Sequence, residues 1–140
     1  KTLVTAESLT GGMVAERVTA VPGASEVFWG GWVTYTDTMK HQLLGVDPQV
    51  LRQQGAVSAA VVEAMAQGAR NLAGSDYALS LSGVAGPDGG SDEHPVGCVY
   101  LGYSGPDGVK SRRCQFPGDR EGVRSRAAQT ALDWLRRALL

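Results

Sequence analysis

A serine attacks a carbonyl carbon only if one group takes its proton and another holds the oxyanion that forms. The segment Thr5-Ala6-Glu7-Ser8-Leu9-Thr10-Gly11-Gly12 suits that chemistry. A strand-like run ends at Ser8, and a glycine pair leads into a helix-forming stretch. Such a turn sets a hydroxyl above the N–H groups that a first helical turn leaves unsatisfied, and those groups favour negative charge. Ser8 is therefore a candidate nucleophile, with Thr10, Gly11 and Gly12 beside it as candidate substrate contacts. The plainer reading is an N-cap, with Ser8 or Thr10 satisfying the first turn. The Gly-x-Ser-x-Gly pattern of hydrolase elbows is not present here.

The serine's proton needs an acceptor. Neither His41, beside Lys40, nor His94, in a loop, is placed for it by the pattern. A lysine can serve if burial disfavours its charged form. The chain has ten arginines but only Lys1, Lys40 and Lys110, so an internal lysine stands out. Lys40 follows Met39 and precedes Leu43-Leu44, which fits partial burial. Tyr35 lies in the same stretch, Gly30 to Lys40, where it could relay a proton or hold the lysine. The ordinary alternatives are a surface lysine and a core tyrosine.

Two further segments could hold a ligand. Ser82-Gly83-Val84-Ala85-Gly86-Pro87-Asp88-Gly89-Gly90 leaves the end of a predicted strand, where α/β sheets bind ligands. It matches neither Gly-x4-Gly-Lys-Ser/Thr nor Gly-x-Gly-x-x-Gly. Phe116-Pro117-Gly118-Asp119-Arg120 precedes a helix with Arg124 one turn on, and arginine there can grip phosphate or carboxylate. The alternatives are a surface loop and solvated arginines with Asp119 as N-cap.

Something must position these residues, and the periodicity supplies ten elements, five strands and five helices. Strands are expected over 2–6, 27–36, 77–82, 96–103 and 109–116, the last two forming a hairpin about Gly105-Pro106-Asp107-Gly108. Helices are expected over 11–20, from an Asp37 cap to Gly45, from Asp47-Pro48 to Gln54, from Ser58 to Gly74, and after Asp119. Val61, Val62, Met65, Ala69 and Leu72 read as the inward face of the fourth. This is an α/β fold, a three-layer α/β/α sandwich with a mixed, mostly parallel sheet, in one domain over residues 1–140.

Composition agrees. Nineteen glycines in 140 residues are about twice the average share and are aperiodic, so they belong in tight loops. A net charge of −1 argues against nucleic-acid binding. Cys98 and Cys114 show no metal or disulfide spacing and read as structural thiols. No apolar run suits a membrane span and no signal pattern is present, so the expected location is cytoplasmic. The chain opens directly on a strand, as if a longer N-terminus or a preceding domain were missing.

In order and spacing the motifs resemble the CinA C-terminal domain family over almost the whole chain. They are AES-x-TGG (Ala6–Gly12), GG-x-VTY-x4-K (Gly30–Lys40), LLGV (Leu43–Val46), GAVS (Gly55–Ser58), GxAGP-x-GG (Gly83–Gly90), PVG (Pro95–Gly97) and FPGDR (Phe116–Arg120). The resemblance implies nicotinamide mononucleotide (NMN) amidohydrolase activity, giving nicotinate mononucleotide and ammonia in pyridine nucleotide recycling. Ser8 falls on its nucleophile, Lys40 on the lysine partner, and Tyr35 in the same pocket. Thr10, Gly11, Gly12, Ser82, Gly83, Gly86, Gly89, Gly90, Arg120 and Arg124 are the expected substrate contacts. No metal or organic cofactor is implied, and no nucleic-acid or membrane partner. A homodimer or higher homo-oligomer is. Leu9 stands where the family commonly has cysteine, and His94 where lysine is frequent. The alternative is a catalytically silent nucleotide-binding or regulatory domain on the same fold.

Overall fold

All five residues of β1 (Leu3–Glu7) are buried, as a central strand covered on both faces requires. The computed structural model describes residues 1–140. After β1 come α1 (Met13–Thr19), a short 3₁₀ turn at Ala24–Glu26, β2 (Phe28–Val33), α2 (Asp37–Leu44), α3 (Pro48–Gln54) and α4 (Ala59–Ala73). Then follow β3 (Tyr77–Gly83), β4 (Cys98–Gly105), β5 (Gly108–Gln115) and α5 (Arg120–Ala138). The sheet order is β2-β1-β3-β4-β5.

Two cores flank the sheet, so the layers are α/β/α. Leu3, Leu79, Leu81, Val99 and Leu101 face α1 and α5, meeting Val14, Val123, Ala127 and Ala131. Val4, Ala6 and Ala78 face the other way, meeting Leu44, Leu51, Val61, Val62 and Met65 of α2, α3 and α4. Alternate residues of one strand thus feed opposite cores. Leu72, expected inward, is 60 % exposed in the last turn of α4. Trp29 is exposed on the edge strand β2, while Trp32 packs partly against the second core. Cys98 is buried, Cys114 half-buried, and both are free thiols. No helix is long and apolar enough to cross a membrane.

The sheet is mixed, but less parallel than expected. β1 pairs in parallel with β2 and β3, whereas β3–β4 and β4–β5 are antiparallel. A parallel step needs a crossover, usually a helix, and β3 to β4 runs through an irregular loop with none. The three parallel strands end on the same side of the sheet. Ser8, Thr34 and Gly83 therefore emerge together, 26 and 49 positions apart in pairwise succession along the chain.

Cap chemistry sets the helix starts. Asp47, Ser58 and Asp119 accept N–H bonds from Gln49, Val61 and Gly122. The cap of α2 is Thr36, whose hydroxyl accepts from Met39, and Asp37 is the first helical residue instead. Gly68 lets α4 lie directly against the end of α2: a Cβ there would collide with the Leu44 carbonyl. Alanine favours a helix over glycine by about 1 kcal/mol. Overpacking against backbone costs about 1–3 kcal/mol or more. Gly68→Ala should therefore lose about 1–2 kcal/mol net, seen as a lower denaturation midpoint with an unchanged m-value. An unchanged midpoint would show that α2, and with it Lys40, shifts freely.

Candidate active site

Ser8 follows β1 directly, with its amide bonded to the Leu81 carbonyl of β3 (3.1 Å). Its Oγ accepts a hydrogen bond from Lys40 Nζ at 3.1 Å. Lys40 also donates to the Thr34 carbonyl at 2.8 Å. The ammonium end is thus held between two strand ends, and only 1 % of the residue is exposed. Burial pushes the Lys40 pKa below the ordinary lysine value, while the Asp37 carboxylate pulls partly the other way. No carboxylate pairs with the amine directly. A neutral amine touching a serine hydroxyl is a base–nucleophile pair.

The turn after Ser8 is braced from within. Glu7, itself buried, accepts from Thr10 Oγ1 (2.6 Å), Val14 N (2.9 Å) and Ala15 N (3.0 Å). It caps α1 in place of Gly12, which has no side chain to do so. The first helical N–H groups, expected to face substrate, are therefore largely engaged by Glu7. Leu9 and Thr10 N–H, next to Ser8, bond to nothing within the chain. The Leu9 side chain is buried among α1 and α5, anchoring the turn.

Tyr35 stands at the rim, 57 % exposed, and its hydroxyl accepts from Arg120 Nη2 at 3.0 Å. It makes no hydrogen bond to Ser8 or Lys40, and the Thr34 carbonyl takes the lysine-holding part considered for it. Arg120 Nη1 also donates to the Gly86 carbonyl at 2.7 Å. Gly86 has φ +86°, a left-handed conformation suited to glycine, which turns the loop over the pocket.

A cleft of about 340 Å³ gathers Ser8, Tyr35, Lys40, Ser82, Gly83, Gly86, Gly89 and Arg120, a volume in the range of small-molecule sites. Asp37, Ala56, Val57 and Asp88 also line it, beyond the residues expected at the site. Arg120 separates it from a second cleft of about 550 Å³ that includes Arg124. Thr10, Gly11, Gly12 and Gly90 line neither. Thr10 is fully buried and bonded to Glu7. Gly11 and Gly12 serve the turn with φ +59° and +106°. His94 lies away from both clefts, edge-on to Tyr100 at 6.0 Å. No group of three His, Cys, Asp or Glu side chains stands close enough to hold a metal ion.

Glu7 and Thr34 were not legible as site residues. The signal for Glu7 was the lack of a capping side chain at Gly11-Gly12; Thr34 contributes only its carbonyl, which no side-chain pattern marks.

Comparison with known proteins agrees with this architecture. A CinA-like protein of Geobacter sulfurreducens is 53 % identical over 139 residues, covering 99 % of this chain and 34 % of its own length. One from Citrifermentans bemidjiense is 54 % identical, with the same coverage. The chain thus spans about a third of the length of these relatives. Among crystal structures, the competence damage-inducible protein A of Klebsiella pneumoniae superposes with TM-score 0.95 at 38 % identity, over 99 % of this chain and 86 % of that one. The competence/damage inducible protein CihA of Agrobacterium tumefaciens gives 0.96 at 37 % identity, with the same coverage. The family description "CinA C-terminal domain" matches residues 1–139, and with this fold and these relatives the chain belongs to that family.

Proposed function

We propose that this domain hydrolyses the carboxamide of NMN to nicotinate mononucleotide and ammonia. The observation that carries the reading is the contact between buried Lys40 and Ser8. Neutral Lys40 takes the hydroxyl proton as Ser8 Oγ attacks the carboxamide carbon. The Leu9 N–H, which lines the cleft beside Ser8 and has no partner within the chain, holds the resulting oxyanion. The tetrahedral adduct collapses, the protonated Lys40 gives its proton to the departing nitrogen, and ammonia leaves. Water, deprotonated by Lys40, then cleaves the ester and frees Ser8.

Features of the same cleft support the reading of a mononucleotide substrate. Arg120 offers a cation for the phosphate. Ala85, Gly86, Asp88 and Gly89 keep backbone N–H groups free of internal partners, and the glycines permit close approach of ribose or phosphate. Ser82 presents a hydroxyl to the same space.

The test is to incubate the purified chain with NMN and quantify both products. Ammonia and nicotinate mononucleotide in equal amounts are expected. Tight binding of NMN without ammonia would instead make this a silent nucleotide-binding domain.

A further inference from the structure

We propose that Arg124 is a positioning residue for the nucleophile turn and not a contact for the substrate's phosphate; this rests on the reading of Ser8 as nucleophile. Arg124 Nε donates to the Leu9 carbonyl at 2.9 Å and Nη2 to the Thr10 carbonyl at 3.2 Å. Its Nη1 lies 3.7 Å from a Glu121 carboxylate oxygen. The fork of the guanidinium is thus directed at its own chain, and the side chain is only 27 % exposed.

The consequence lies in the peptide plane. C=O and N–H of a trans peptide point in opposite directions. Holding the Leu9 and Thr10 oxygens on Arg124 therefore fixes both peptide planes of the turn that carries Ser8 and the Leu9 N–H. The Gly11 N–H closes the turn on the Ser8 carbonyl at 3.0 Å. Glu7 holds the Thr10 hydroxyl from the other side. With the carbonyls and the Thr10 side chain tied, the Leu9 N–H is the unpaired donor that lines the cleft beside Ser8. Removing one oxyanion donor costs about 10²–10³ in rate. Loosening the turn that aims the Leu9 N–H should cost about 10–100-fold.

The experiment compares wild type, Arg124→Ala and Arg124→Lys in the purified chain. Diisopropyl fluorophosphate is the probe, because it is neutral and has neither a phosphate monoester nor a carboxamide. Ser8 Oγ forms the new P–O bond, fluoride leaves, and the hydroxyl proton passes to Lys40. Labelling is followed by intact mass and located by peptide mapping, and kcat and KM for NMN are measured alongside. Arg124→Ala should slow Ser8 labelling and lower kcat together by about 10–100-fold, with KM changed less than about threefold. Arg124→Lys, which keeps a donor and the charge, should recover part of both. Labelling at the wild-type rate with a raised KM overturns the proposal and makes Arg124 a phosphate contact. If wild type labels at Ser8 but leaves NMN intact, the substrate reading fails while the labelling rates still decide the role of Arg124. A wild-type chain that does not label at Ser8 overturns both. Should Arg124→Ala fail to fold by circular dichroism, the Arg124→Lys rates decide in the same way.

Discussion

Ser8→Ala will abolish ammonia release from NMN, lowering kcat by about 10⁴–10⁶-fold while the chain stays folded. Deleting a nucleophilic serine whose catalytic partners act as a unit has effects of that order. Structure should survive because only the Oγ is lost. The Ser8 backbone bonds to Leu81 and Gly11 remain, and Glu7, not Ser8, caps α1. Lys40 keeps its bond to the Thr34 carbonyl. An unchanged melting temperature with no turnover is the expected pair of results. Substantial turnover by this variant would remove Ser8 from the mechanism.

Lys40 gives the second large effect, and its pH dependence carries the sign. The base must be neutral, and burial lowers the Lys40 pKa. A lowered pKa means the neutral form persists to lower pH. The kcat/KM for NMN should therefore rise with pH through one ionisation centred below the ordinary lysine value of about 10.4, and fall away on the acid side. Asp37 lines the pocket and favours the charged form. Asp37→Asn should move the acid limb to still lower pH; a shift to higher pH, or none, would mean another group titrates. Lys40→Met removes the base and should cost at least about 10²–10⁴-fold. Lys40→Arg keeps a cation that cannot deprotonate. Activity retained in the arginine variant would make Lys40 an electrostatic partner only.

Much of this was readable from residue order. Ser8 is legible because the apolar run of β1 stops there, and Lys40 because lysine is scarce in this chain. Their meeting is not legible from local pattern. It depends on β1 and β2 pairing in parallel with Glu7 opposite Val33, so that Thr34 and the α2 that follows arrive beside Ser8. Spacing in the sequence says nothing of that register. The brace at Glu7 was hidden for another reason. A carboxylate in an apolar strand reads as an exception, and its three partners lie three to eight residues onward in a turn that glycines make hard to build by pattern. The Thr10 hydroxyl donates to the nearby Glu7 carboxylate, a pairing that residue order alone does not mark. Helical periodicity likewise marked the inward face of α4 and extended it to Leu72, one turn beyond where the helix remains covered.

Acid-quenching the chain during NMN turnover, followed by peptide mapping by mass spectrometry, captures the covalent intermediate. The peptide holding Ser8 is expected to carry the nicotinate mononucleotide acyl group in ester linkage, and the Ser8→Ala peptide to lack it. The acyl group on any other residue, or turnover that persists in Ser8→Ala, would contradict the assignment of Ser8 as nucleophile.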